Sequence, residues 1–163
     1  MFLRVLLAFI LSLNVVLAGP AVALSCIVSD PVQTFQIAAN SSQNYSVLLG
    51  QFDFNKQLLP DREHGPEQAA VRIPAQFQGL ILSRNGFVTP VTQQVILQPS
   101  CLSIWCGAII PDRRVLAFVH QEPDGSWQLN LNECGGTFYY DPSRETLEKI
   151  VTCMQGGPCS PDQ

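Results

Sequence analysis

The sequence predicts a mainly β fold: a small, partly open barrel of five strands, with a short helix before it and a second helix at its end. Three observations lead there. Stretches rich in β-branched and aromatic residues alternate with turn signals through the middle of the chain. Helical apolar spacing occurs only near the two ends. Six cysteines, all downstream of an export signal, imply bracing by disulfides.

The opening stretch, MFLRVLLAFILSLNVVLAGPAVA, reads as a secretory signal peptide occupying residues 1–23. Arg4 supplies the positive start, Val5 to Ala18 the apolar run, and Ala21-Val22-Ala23 the small residues of a cleavage site. The run is short for a membrane anchor, the alternative reading, and no later stretch approaches a span. Cleavage leaves 140 of the 163 residues and, with Arg4 gone, takes the net charge from −4 to −5. That length is enough for one domain, expected over 24–155, with 156–163 as a short polar tail. The same acidic balance, with Arg113-Arg114 as the largest cationic cluster, excludes nucleic acid as a main partner, because phosphate binding needs a basic footprint.

Asp30 caps and Pro31 starts the first helix, whose Val32, Phe35 and Ala39 share a face. The polar run Asn40 to Asn44 ends it. Tyr45 to Phe54 form the first strand, where Gly50 suggests a bulge or sharp coil. Asn55 to Gln68, with two prolines and mixed charges, is a loop. Ala70 to Ser83 form a long strand, bent near Pro74 and Gly79. Asn85-Gly86 then turns the chain into its hairpin partner, Phe87 to Gln98. After a cysteine-bearing turn, Arg113 to Gln121 form the fourth strand. The Pro123-Asp124-Gly125 turn leads to the fifth, Ser126 to Glu133, with Trp127, Leu129 and Leu131 on one face. Asp141 and Pro142 open the last helix, whose stripe is Leu147, Ile150, Val151 and Met154, and Gly156-Gly157-Pro158 stop it.

The cysteines are Cys26, Cys101, Cys106, Cys134, Cys153 and Cys159. An even number in an exported chain reads as three disulfides, and fifteen connectivities are open. No C-x-x-C pair occurs and there are only two histidines, which argues against a metal site and against any cofactor. Trp105-Cys106-Gly107 resembles a thioredoxin-type start only in its letters. The residue three positions on is Ile109, and the turn at Pro111 offers no helix dipole to lower a thiol pKa. Cys101 and Cys106 can instead close a small loop, and Cys26 can close a far longer one with Cys106 or Cys134. Trp105 reads as a half-buried prop for its neighbouring bridge, or as an anchor for a partner.

Enzyme motifs do not converge. His64-Gly65-Pro66-Glu67 lacks the second histidine of H-E-x-x-H, and Pro66 breaks the helix that would present them. His120-Gln121-Glu122 lacks the paired cysteines of a zinc deaminase. Asp124 to Gln128 lack the glycines of a nucleophile elbow around Ser126. The chain is read as a non-enzyme. Asn40-Ser41-Ser42 and Asn44-Tyr45-Ser46 are glycosylation sequons, meaningful in a eukaryotic host.

From Cys26 to Cys153 the order of these features resembles the netrin-like module, the domain shared with tissue inhibitors of metalloproteinases. A cysteine follows the signal and precedes a short helix; a strand reaches Gly50; a central hairpin follows. Cys106-Gly107 then precedes Val115-Leu116-Ala117-Phe118, and Leu129-Asn130-Leu131-Asn132-Glu133-Cys134-Gly135-Gly136 precede a helix carrying Cys153. The resemblance implies an OB-like Greek-key barrel that is exported, secreted or periplasmic, and that binds another protein. It also implies a binding edge built from Cys26, Ile27 and Val28 with Leu102, Ser103, Ile104 and Trp105 of the cysteine turn. The expected bridges are Cys101–Cys106, Cys26–Cys134 and Cys153–Cys159.

In the inhibitors the mature chain starts at a cysteine whose α-amino group and carbonyl chelate the target's zinc, and a second cysteine follows after one residue. This chain departs twice: position 28 is valine, and cleavage after Ala23 leaves Leu24-Ser25 ahead of Cys26. Two alternatives therefore stand beside a plain binding module. One is a metalloproteinase inhibitor acting through the Cys26 edge. The other is an envelope or structural protein lipid-anchored at Cys26, since Val22 to Cys26 also fit a loose lipobox, though this would leave five thiols to pair.

Overall fold

Asp30 starts the first helix as its sequence predicts. Its carboxylate accepts hydrogen bonds from the Val32 and Gln33 backbone N–H groups at 2.8 and 3.0 Å, and Pro31 needs no partner for its nitrogen. The computed structural model describes residues 25–27, 29–60 and 71–161. In it helix α1 spans Pro31–Ala39, and Val32 and Ala38 are its buried residues. Ala39, expected on that face, is exposed.

Strand β1 is Asn44–Asp53, β2 is Ile73–Ser83 and β3 is Gly86–Pro99. A two-residue pair, β4 (Cys101–Leu102) and β5 (Trp105–Cys106), forms a small ribbon. Strands β6 (Val115–Gln121), β7 (Trp127–Leu131) and β8 (Phe138–Tyr140) precede helix α2 (Arg144–Met154). The fold is thus mainly β, with a helix towards each end and three disulfides: Cys26–Cys134, Cys101–Cys106 and Cys153–Cys159. These are the three pairs the sequence reading expects.

Five strands pair in the cyclic order β1-β2-β3-β7-β6 and back to β1. All contacts are antiparallel except β3 with β7, which run parallel. The ring is uneven. β6 and β7 meet only at His120–Gln128 and Gln121–Trp127, and β8 takes the rest of that edge along Val115 to Ala117. β8 is a sixth strand in the sheet and was not expected. Three residues are too few for an alternation signal, and β8 exists because β6 leaves an edge to pair.

Side chains of β1, β2, β3, β6 and β7 fill one core, in which Leu48, Phe77, Leu97, Leu129 and Leu131 are fully buried. A second core lies between the helices and the outer side of β1 and β6, around Val32, Leu116, Phe118 and Ile150. This is why β6 reads as a continuous apolar run: both of its faces are covered.

Three further expectations are corrected. Gly50 makes no bulge. It lies opposite Gly79 in unbroken register, and a Cβ built on Gly50 would sit 2.7 Å from the Gly79 Cα and 2.8 Å from the Phe77 ring. The glycine pair lets two backbones approach beneath that ring, and the register shift falls instead between Ile81 and Leu82. Asp141 does not cap α2. It has φ 44°, its carboxylate holds Arg113 at 2.7 and 2.9 Å, and Ser143 caps by accepting from the Thr146 N–H at 3.0 Å. Met154 stands 37% exposed, and Ile150 and Cys153 are the buried residues of α2.

Candidate partner-binding edge

The ribbon is held where its two strands leave the sheet. The Ser100 N–H donates to the Leu131 carbonyl at 2.9 Å, and the Gly107 N–H donates to the Ser100 carbonyl at 2.8 Å. The Ser100 hydroxyl donates to the Glu133 carboxylate at 2.8 Å. At Gly107 a Cβ would lie 1.9 Å from the Leu131 carbonyl oxygen, so only glycine admits this contact. The bridge between the opposed residues Cys101 and Cys106 then clamps the hairpin above its neck.

Beyond the clamp, Leu102 pairs with Trp105, and the tip turns through Ser103 at φ 55°. Leu102 and Ile104 are each 52% exposed and Trp105 is 47% exposed. From residue 99 to residue 111 no side chain carries a charge. Trp105 is thus half-buried, which fits both of its readings, a prop for the disulfide and an anchor for a partner.

The N-terminal half of the expected edge is tied to the same place. Cys26 is bonded to Cys134, three residues after the Leu131 carbonyl that holds Ser100. Segment 131–134 thus anchors both the ribbon neck and the start of the described chain. Ile27 is 89% exposed, and Val28 lies outside the described residues. Just behind, the Thr34 hydroxyl donates to the Gly136 carbonyl at 3.0 Å and meets the Tyr139 hydroxyl at 2.6 Å, while Tyr139 also donates to Ser29. These bonds seat α1 on the loop that carries Cys134.

A residue that sequence reasoning missed borders the ribbon. Ile110 is 51% exposed and its N–H donates to the Tyr140 hydroxyl at 2.7 Å. Its neighbour Ile109 is buried. Nothing in the Ile109-Ile110 pair tells which of the two faces inward, because that depends on β8. Burial raises the Tyr140 pKa above its ordinary value, against lowering by the Ile110 N–H and by Arg113, whose guanidinium lies 4.2 Å over the ring.

The two histidines lie elsewhere. His120 is buried at the end of β6, with Nε2 2.9 Å from a Glu122 carboxylate oxygen and its ring against Tyr45. His64 and most of the Asn55 to Gln68 loop lie outside the described residues. Among the described residues no group of three or more His, Cys, Asp or Glu side chains could hold a metal ion, and no helix is long and apolar enough to cross a membrane. No family model, no curated protein and no solved structure matches this chain.

Proposed function

We propose that this chain is an exported, disulfide-braced binding module of netrin-like type, built on an OB-like five-stranded barrel and acting by contact with another protein. The cyclic strand order with a parallel β3–β7 pairing supports the OB-like reading. One observation carries the function. Leu102, Ile104 and Trp105 expose about half of their surface on an uncharged tip that a disulfide and the Ser100–Glu133 bond hold in shape. Large apolar groups presented rigidly lose little entropy on binding, and tryptophan is the residue type most enriched among binding hot spots.

A photo-crosslinker placed at Leu102 or Ile104 in the native host tests this. The expected result is a discrete adduct that Trp105→Ala abolishes, with none from a crosslinker at Val88, which is 62% exposed on β3. Equal labelling from Val88 would refute the reading.

The two alternatives turn on Cys26. An inhibitor that chelates zinc requires a mature chain starting at Cys26, and the Cys26–Cys134 bridge would leave the α-amino group and carbonyl of that residue available. A lipid anchor requires the Cys26 sulfur that this bridge uses. Intact mass and N-terminal sequencing of the native protein separate them. A start at Cys26 with six hydrogens missing keeps the inhibitor, an acyl mass selects the anchor, and a start at Leu24 with three disulfides leaves the plain module.

A further inference from the structure

We propose that the ribbon end of the barrel is also a membrane-contact surface, whose apolar tip enters the interface of a zwitterionic lipid bilayer. The strand registers define that end. Asp53 lies opposite Gln76, Ile73 opposite Leu97, Pro99 opposite Leu131 and Gly50 opposite Val115. The C-terminal ends of β1, β3 and β7 therefore lie together with the N-terminal ends of β2 and β6. Among the described residues nine large apolar side chains stand exposed, and six of them belong to segments at this end. Leu58 follows β1, Leu102, Ile104 and Trp105 follow β3, Ile110 precedes β6, and Ile27 is tied by the Cys26–Cys134 bridge to the segment after β7. The other three, Ile37, Val88 and Met154, are scattered over α1, the turn end of β3 and α2. Single exposed apolar residues are ordinary on a protein surface, whereas their collection at one end marks a contact.

Charge is layered along the ribbon. From residue 85 to residue 111 no side chain is charged. Ile104 stands at the tip, Leu102 and Trp105 pair one step behind it, and the disulfide follows. A carboxylate appears only at the neck, where Glu133 accepts from Ser100. The next charges along the chain are Asp112, Arg113 and Arg114. Apolar tip, tryptophan behind it and charge at the base match the passage from acyl chains through the interface to water, a layer in which tryptophan concentrates. A bilayer takes such an uncharged wedge without a preformed groove. No lysine or arginine lies in the ribbon and the net charge is −4, so the attraction is apolar and an anionic surface is not preferred.

The start of the chain lies the same way. Ser25 to Ile27 are exposed, and the Cys26–Cys134 bridge fixes them at this end. The apolar run from Val5 to Ala18 precedes them in sequence, so a membrane that holds this run meets the ribbon end of the barrel. The inference goes beyond contact with a protein and does not rest on it. One tip cannot occupy lipid and a protein groove together, so the bilayer holds the chain only while no partner takes the ribbon.

Vesicles of phosphatidylcholine, alone or mixed with phosphatidylglycerol, are the probes, added to the exported protein after loss of its leader. Co-sedimentation with phosphatidylcholine alone is expected, unchanged by added salt and not strengthened by phosphatidylglycerol. Bromine on the acyl chains should quench tryptophan emission. Trp105→Phe should abolish that quenching, because Trp127 is packed against the core. Leu102→Ser with Ile104→Ser should weaken binding at least about tenfold, whereas Val88→Ser at the far end of β3 should leave it unchanged. These three side chains are exposed, so circular dichroism should match the parent's, and the quenching of the parent serves if a variant fails to fold. Absence of sedimentation, binding that grows with phosphatidylglycerol, or full binding by the folded Leu102 and Ile104 variant would each overturn the proposal. Contact with a protein would then stand as the ribbon's one use, since the crosslinking result does not depend on vesicles.

Discussion

Removing the Cys26–Cys134 bridge should destabilise the whole protein far more than removing the bridge in the ribbon, although both join exposed or half-exposed cysteines. The long bridge spans 108 residues of sequence and the ribbon bridge spans 5. In the chain-entropy treatment the first restrains the unfolded chain by about 4.8 kcal/mol and the second by about 2.2 kcal/mol. The native state offers little to narrow that gap. Each bridge lies at the surface, and the hydrogen bonds that seat α1, from Thr34 and Tyr139, survive loss of either.

The assay is urea denaturation of Cys26→Ala/Cys134→Ala beside Cys101→Ala/Cys106→Ala, both without reductant. The long-bridge variant should lose about 2.5 kcal/mol more. On thermal melting its midpoint should fall by about 15 °C, against about 7 °C for the ribbon variant, for a domain of this size. Equal midpoints for the two variants would refute the reasoning. They would mean that the N-terminal segment is held by its packing alone and that the loop entropy is not expressed.

Other outcomes follow from single contacts. Gly79→Ala places a Cβ 2.4 Å from the Leu49 carbonyl oxygen and 2.7 Å from the Gly50 Cα, so backbone must move; a loss of about 3 kcal/mol or more is expected on thermal melting. Ser143→Ala should cost about 1 kcal/mol as a lost helix cap, whereas Asp141→Ala, which breaks an exposed pair with Arg113, should cost under about 1 kcal/mol; urea midpoints rank the two. Because burial raises the Tyr140 pKa in the folded state, its contribution to stability is complete below the ordinary tyrosine value of 10.0 and is lost as pH rises through the folded value. Tyr140→Phe should flatten that alkaline loss, and urea midpoints taken at rising pH check it.

Legibility followed the range of the interaction. Asp30-Pro31 and Asn85-Gly86 announce a helix start and a hairpin, and both occur where expected because the groups that satisfy each other lie within a few residues. Asp141-Pro142 announces a helix start just as clearly, and there the reading misplaced the cap. Arg113, 28 residues away in sequence, takes the carboxylate, so the cap passes to Ser143. Of the candidate edge, the apolar tip residues and Ile27 could be named from composition and order, and their exposure in the fold agrees with a surface role. Their common anchor on Leu131 to Cys134 could not, because the Ser100–Leu131 contact joins strands whose pairing no local signal records.

By itself, the sequence determined the mainly β character, the helix near each end, the hairpin at Asn85-Gly86 and the stock of cysteines, since all rest on local propensity and periodicity. Tertiary structure alone decided that β6 is covered on both faces, that β8 pairs with it, and that Gly50 and Gly79 are glycines because two backbones meet there. It also decided that Ile110 faces out beside the ribbon. Each of those depends on a neighbour distant in sequence, and burial and close approach are properties of the pair.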